Sequence, residues 1–190
     1  MDFILILLGI FVVLQVLRTR YQRAHIALLG QHLASMQLER HMETLTTTYA
    51  RAIQEQSESR QLQVLATVNQ TEQAVASQMQ RLAQALSHEP ASATVMSILP
   101  IKQRDFRQLV QIHAAGLRYV ADNEANWTPK ERAFHLSAEL YLFQHSCHWF
   151  CKSRAVADAR LMVRHKIDHK KVLNSVSTPT RVAYEKWLQS

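Results

Sequence analysis

The spacing of apolar positions changes several times along the chain, and each change predicts a different element. Residues 3–17 read FILILLGIFVVLQVL, with Gln15 the one polar side chain. As a helix this run is about 22 Å long, against a hydrocarbon core of about 30 Å. Met1 lengthens it slightly, and Arg18 can lay its stem along apolar surface while its charge reaches the headgroups. The expected element is a single transmembrane anchor over residues 1–20. A secretory leader would open on basic residues and close on a small-x-small cleavage site. Here Asp2 precedes the run, and Arg18, Thr19 and Arg20 follow it.

Basic residues set the expected orientation. Arg18, Arg20 and Arg23 follow the run and none precedes it. Positive charge stays on the cytoplasmic side of a membrane. The carboxyl side is therefore expected in the cytoplasm, at a bacterial inner membrane or its organelle equivalent.

From Arg18 to Glu89 there is no proline, and Gly30 is the only glycine. Apolar residues there recur in alternating steps of three and four, which mark a narrow stripe on a helix. One run is Ile26, Leu29, Leu33 and Met36, and a second is Leu38, Met42, Leu45 and Tyr49. A third is Leu65, Val68, Val75, Met79, Leu82 and Leu86, interrupted by Glu72. The register slips between Met36 and Leu38, and QEQSESRQ at 54–61 has no apolar residue. The pattern predicts a helical stalk over 21–88, about 105 Å long if unbroken. Its seam would associate with a second copy or with other subunits. A break at 54–61 would instead fold it into an antiparallel hairpin.

Residues 89–104, with Pro90 and Pro100, read as a linker, and 105–190 as a basic helical bundle. Phe106, Leu109, Val110, His113, Leu117 and Val120 share one helical face behind a capping Asp105, with His113 expected as a core histidine. Thr128-Pro129-Lys130-Glu131 combines a cap, a first-turn proline and a capping-box glutamate. That helix is expected to run to about Lys152, with a third over 155–173. Ser177-Thr178-Pro179 opens a last helix through Trp187. Glu131 and Glu139 read as cap and surface.

Composition narrows the fold class. Three glycines and four prolines in 190 residues are too few for the turns of a sandwich, barrel or wound sheet. Gly9, Gly30 and Gly116 lie too far apart for a phosphate-binding loop. The expected fold is all-α: one transmembrane helix, a long coiled-coil-like stalk and a small C-terminal helical bundle. The net charge of +7 suits an acidic protein, a nucleic acid or an anionic bilayer. The two cysteines form no disulfide framework and fit a reducing compartment.

Three constellations carry candidate chemistry. Cys147, Cys151, His165 and His169 have a spacing that suits zinc, each pair four residues apart on a helix face. Cys147 and Cys151 also lie on the stripe of Leu136, Leu140, Phe143 and Phe150, where core packing explains them. No other cofactor is implied. Arg160, Arg164 and Lys171 share a face that could meet phosphates or an acidic partner. The string Arg164-His165-Lys166-Ile167-Asp168-His169 resembles the R-x4-H motif of the HEPN ribonuclease superfamily, small helical bundles that act as dimers. That resemblance implies Arg164 and His169 as a catalytic pair, with His165 as the polar residue after the arginine. Weighed together, these features lead to the expectation of a membrane-anchored scaffold subunit rather than an enzyme. The alternative is a tethered nucleic-acid-binding or RNA-cleaving head.

Overall fold

A computed structural model describes residues 2–96 and 104–190 of the chain. Residues 97–103 of the expected linker lie outside it. The described residues form helices and no strand, with one isolated bridge between Val95 and Asp105. The order is α1 Asp2–Leu33, α2 Leu38–Gln54, α3 Glu58–Ala66, α4 Asn69–Ser87, α5 Ala91–Thr94, α6 Phe106–Ala121, α7 Pro129–Cys151, α8 Arg154–His165, α9 His169–Ser175 and α10 Thr178–Gln189.

The apolar run lies wholly within α1, a helix long and apolar enough to cross a membrane. Its large apolar side chains from Phe3 to Leu17 are each 50–72% exposed. A core helix of a water-soluble fold would bury one face instead.

Residues 21–88 do not form one rod. The helix stops at Leu33 and restarts at Leu38, where the register slips, and stops again at Gln54 within the polar stretch. α2, α3 and α4 fold back, and α4 packs along α6. The seam residues Leu65, Val68, Val75, Met79, Leu82 and Leu86 are all buried. They share one core with Leu45 of α2, Leu109 and Leu117 of α6, and Leu136 and Leu140 of α7. The stripe expected to mate with another chain thus faces α6 and α7 of its own. The physical reason is the low cost of an intramolecular partner: loop-closure entropy grows only slowly with loop length. Glu72, the interruption, is buried because it has partners. Tyr49 Oη donates to it at 2.7 Å, and Arg132 lies 3.1 Å away on α7.

α1 is clamped to this core just past the apolar run. Tyr21, His25, Phe150 and Phe106 form an aromatic ladder with successive ring centroids 4.0 Å apart. His25 Nδ1 is 2.8 Å from the Phe150 carbonyl, and Gln22 Nε2 donates to the Lys152 carbonyl at 3.3 Å. In the last turn of α1, His32 pairs with Glu89 at 2.8 Å. Gln22 is four residues, about 6 Å, beyond Arg18. The head therefore begins at the foot of the apolar run, without the separation an extended stalk would give.

Local signals explain the remaining boundaries. Thr128 and Glu131 form the capping box at the start of α7, which satisfies two otherwise free amide donors. The helix expected over 155–173 is broken in two. α8 ends at His165, its capping Lys166 adopts left-handed backbone with φ 56°, and Asp168 caps α9 through the Lys171 amide.

Candidate functional site: a buried polar network beside a basic cleft

α7 carries polar residues into the core on two sides. On one, His113 of α6 meets Ser146 of α7, with Nε2 2.8 Å from Oγ. The Ser146 hydroxyl donates its single proton to the Leu142 carbonyl at 3.0 Å. It therefore accepts from His113 Nε2–H, and Nδ1 is left without a partner. A histidine that activates a serine must take the hydroxyl proton; here the polarity is reversed and both groups are fully buried. Beside them, His145 donates to Asp158 at 2.7 Å, its ring 4.4 Å from His169. His169 Nε2 lies 3.1 Å from the Tyr184 hydroxyl. Burial holds His113 down at about 3 and His169 at about 4, each further lowered by His145. At neutral pH these rings are uncharged hydrogen-bonding groups of a rigid core.

On another side, Glu139 is fully buried, where its sequence position suggested surface. One carboxylate oxygen accepts from the Ser177 amide at 3.1 Å and the Ser177 hydroxyl at 2.8 Å. The other has no hydrogen bond. Burial pushes this carboxyl up to about 7, against the opposing hydrogen bonds from Ser177. Its position carried a signal: with Leu136 and Phe143 it has i, i+3, i+7 spacing, a core-facing pattern.

These shifts have opposite consequences for stability. Below about 6.5 the unfolded chain protonates its histidines, whereas native His113 and His169 stay neutral to about 4 or below. Their contribution is complete above 6.5 and is lost as pH falls. Native Glu139 holds its proton to about 7 while the unfolded group ionises at 4.5, so its contribution is lost as pH rises through that window. Glu139→Gln is expected to stabilise the fold by about 2–3 kcal/mol at pH 8 and to have little effect at pH 4.5. Denaturant midpoints at the two pH values check this; equal effects at both would show that Glu139 is ionised throughout.

The proposed metal ligands do not converge. Among the described residues no three of His, Cys, Asp or Glu are grouped to hold a metal ion. His165 lies against Tyr141, ring centroids 4.0 Å apart, and reaches Gln144, whereas His169 points to Tyr184. Cys147 and Cys151 are half-buried free thiols. Burial raises Cys147 well above its ordinary value and Cys151 to about 11, so both remain protonated.

The ribonuclease-like pair is split by the α8–α9 break. Arg164, in the last turn of α8, lines a small cleft with Arg160, His148 and His165. His169 begins α9 and is not part of that cleft. Reaching one phosphate together required a helix starting near Arg164, but the helix starts at His169. Within the cleft, Arg160 donates to His148 Nδ1 at 3.2 Å. Burial, then the neighbouring arginines, lowers His148; burial and Arg164 lower His165. Lys171 is exposed on α9, 4.0 Å from Asp168. Arg160 and Arg164 thus share a site that Lys171 does not line.

A cavity of about 550 Å³ also opens between α2, α3, α7 and α9, lined by Tyr49, Ile53, Leu65, Phe134, Tyr141 and Val172. Comparison with protein-family models, with characterised proteins and with solved structures finds no match for this chain.

Proposed function

We propose that the protein is a single-pass membrane subunit whose helical head is held against the cytoplasmic face of the bilayer, where it serves as a structural element of a larger assembly. The supporting observation is the junction at 21–25. An exposed apolar helix enters the core through the ladder of Tyr21, His25, Phe150 and Phe106. A long flexible tether would let a head search for distant partners. A clamped helix fixes the distance and orientation of the head, which suits a subunit with fixed neighbours. Among the described residues, the His113–Ser146 pair is fully buried and its serine proton goes to the Leu142 carbonyl rather than to the histidine.

A second reading, a tethered nucleic-acid-binding head, is favoured by the pairing of Arg160 and Arg164 with His148 and His165 in one cleft. Phosphate contacts of that kind weaken steeply with salt.

Membrane fractionation tests the first reading. The full chain is expected to resist alkaline carbonate extraction. Its head should be cut by protease only after the cytoplasmic face is opened. Purification in mild detergent should carry neighbouring subunits with it. Recovery in the soluble fraction, or digestion from outside intact cells, would overturn the placement. Salt-sensitive RNA retention by the purified protein, abolished in R160E/R164E, would favour the second reading.

A further inference from the structure

The clamp between α1 and the head brings two basic segments together that lie about 130 residues apart. Arg18 and Gln22 are four residues apart on one face of α1. Gln22 meets Lys152 twice, donating to its carbonyl at 3.3 Å and accepting from its Nζ at 3.5 Å. Lys152 thus lies one turn from Arg18. Arg154 follows, its guanidinium 5.4 Å from the centre of the Trp149 ring. Arg20 and Arg23 project from other faces of α1, and all five basic side chains are exposed. No acidic residue occurs between Asp2 and Glu39, or between Glu139 and Asp158. Of two acids on nearby elements, Asp105 pairs with Arg107 at 2.6 Å, whereas Asp158, one turn along α8 from Arg154, accepts from the uncharged His145 at 2.7 Å and keeps its charge, so the five basic side chains outnumber it. The result is a collar of positive charge around α1 that begins where its apolar run ends.

We propose that Lys152 and Arg154, with Arg18, Arg20 and Arg23, form a binding surface for the headgroups of anionic phospholipids. The proposal rests on the anchoring reading, which puts the collar at headgroup depth. Lipid is favoured over nucleic acid by that depth, because a polynucleotide would have to lie against the bilayer to reach it. Trp149 adds an amphipathic ring of the kind that settles at membrane interfaces. The surface explains why the α7–α8 turn, otherwise an ordinary loop, carries Lys152-Ser153-Arg154. These side chains complete on the head side the ring of charge that α1 supplies elsewhere. Each basic side chain near an anionic surface is worth about fivefold in affinity at moderate salt.

The test uses the full chain reconstituted into phosphatidylcholine vesicles that carry equal fractions of brominated phosphatidylcholine or brominated phosphatidylglycerol. Trp127→Phe removes the tryptophan at the far end of α7, leaving Trp149 and its neighbour Trp187 as reporters. Brominated phosphatidylglycerol is expected to quench them more strongly, with a relative binding constant of about fivefold or more. About 0.5 M salt should reduce the preference by screening it. K152E/R154E should bring the constant close to one while carbonate resistance and helix content stay unchanged. K152Q/R154Q serves as the milder pair if charge reversal perturbs folding, and should lower the preference by at least half. Equal quenching by the two lipids, or a preference that neither double variant lowers, overturns the lipid surface and leaves the anchor standing. Absence of quenching by either lipid overturns both.

Discussion

Alanine at Leu82 or Leu86 is expected to destabilise the head by about 2–5 kcal/mol each, independently of protein concentration. Both side chains are fully buried, in a core shared with α6 and α7. Deleting three carbons from such a site loses their transfer free energy and leaves a cavity that the neighbours fill only in part. Against a typical total stability of about 5–15 kcal/mol, either change removes a large fraction. The two positions are one turn apart, so their effects will not simply add. Concentration separates the two possible partners of this stripe. If α4 paired with a second copy, the denaturation midpoint would rise with protein concentration by mass action. Packing within the chain makes it independent. Urea titrations in micelles at two concentrations tenfold apart check both statements. Leu62→Ala, at a more exposed position on α3, should change stability by less than about 0.5 kcal/mol. A midpoint that moves with concentration, or intact stability in Leu82→Ala, would return the seam to intermolecular pairing.

The same stripe shows how far sequence reading reaches. Periodicity identified Val75, Met79, Leu82 and Leu86 on the buried face of α4, because a helix carries its 3.6-residue period in its own sequence, but not Glu72, Ala76, Gln78 and Ala83 beside them. It could not identify the partner, because nothing in Leu82 or Leu86 distinguishes another chain's helix from α6. The turns were visible as irregularities, the slip between Met36 and Leu38 and the polar stretch 54–61, and they became the ends of α1 and α2. The start of α7 was legible in full because Thr128 and Glu131 satisfy each other within four residues. The α8–α9 break was not, since Lys166 in left-handed backbone has no residue-type signature of the kind glycine supplies. That break separates Arg164 from His169, so the chemistry suggested by a six-residue string depended on a dihedral the string does not encode.

The candidate site was legible by type and not by pairing. His113 sat on an apolar face and could be read as a core histidine. Its partner Ser146 lies 33 residues away and supplies no pattern of its own. The basic collar is the extreme case: Arg18 read as a membrane flank and Lys152 as the end of a helix in the head, with nothing to join them. The stacking of His25 on Phe150 and the hydrogen bonds of Gln22 to Lys152 place them side by side.

Gly116→Ala is expected to cost about 1–5 kcal/mol, although glycine within a helix normally gives way to alanine at a gain of about 0.5–1 kcal/mol. The reason is what lies opposite. A Cβ at Gly116 would stand 1.9 Å from Thr180 Oγ1 and 2.9 Å from Glu139 Oε2. Neither atom is the free end of a flexible chain. Thr180 Oγ1 lies 3.0 Å from Ser177 Oγ, which accepts its proton while giving its own to Glu139 at the start of α10. Relief requires α10 to move away from α6 or Thr180 to abandon its rotamer. Overpacking of this kind costs about 1–3 kcal/mol, and loosening hydrogen bonds to a buried carboxyl adds about 1–3 kcal/mol more. Thr180→Ala removes the atom of closest approach, so the alanine at 116 should cost less than about 1 kcal/mol in that background. Chemical denaturation of the four members of the cycle measures this coupling directly. The defect should be greater at pH 8 than at pH 5, because a strained contact bears harder on an ionised Glu139 than on a protonated one. Near-additive costs in the cycle would mean that α6 and α10 approach less closely than Gly116 permits, and would remove the structural reason for glycine at this crossing.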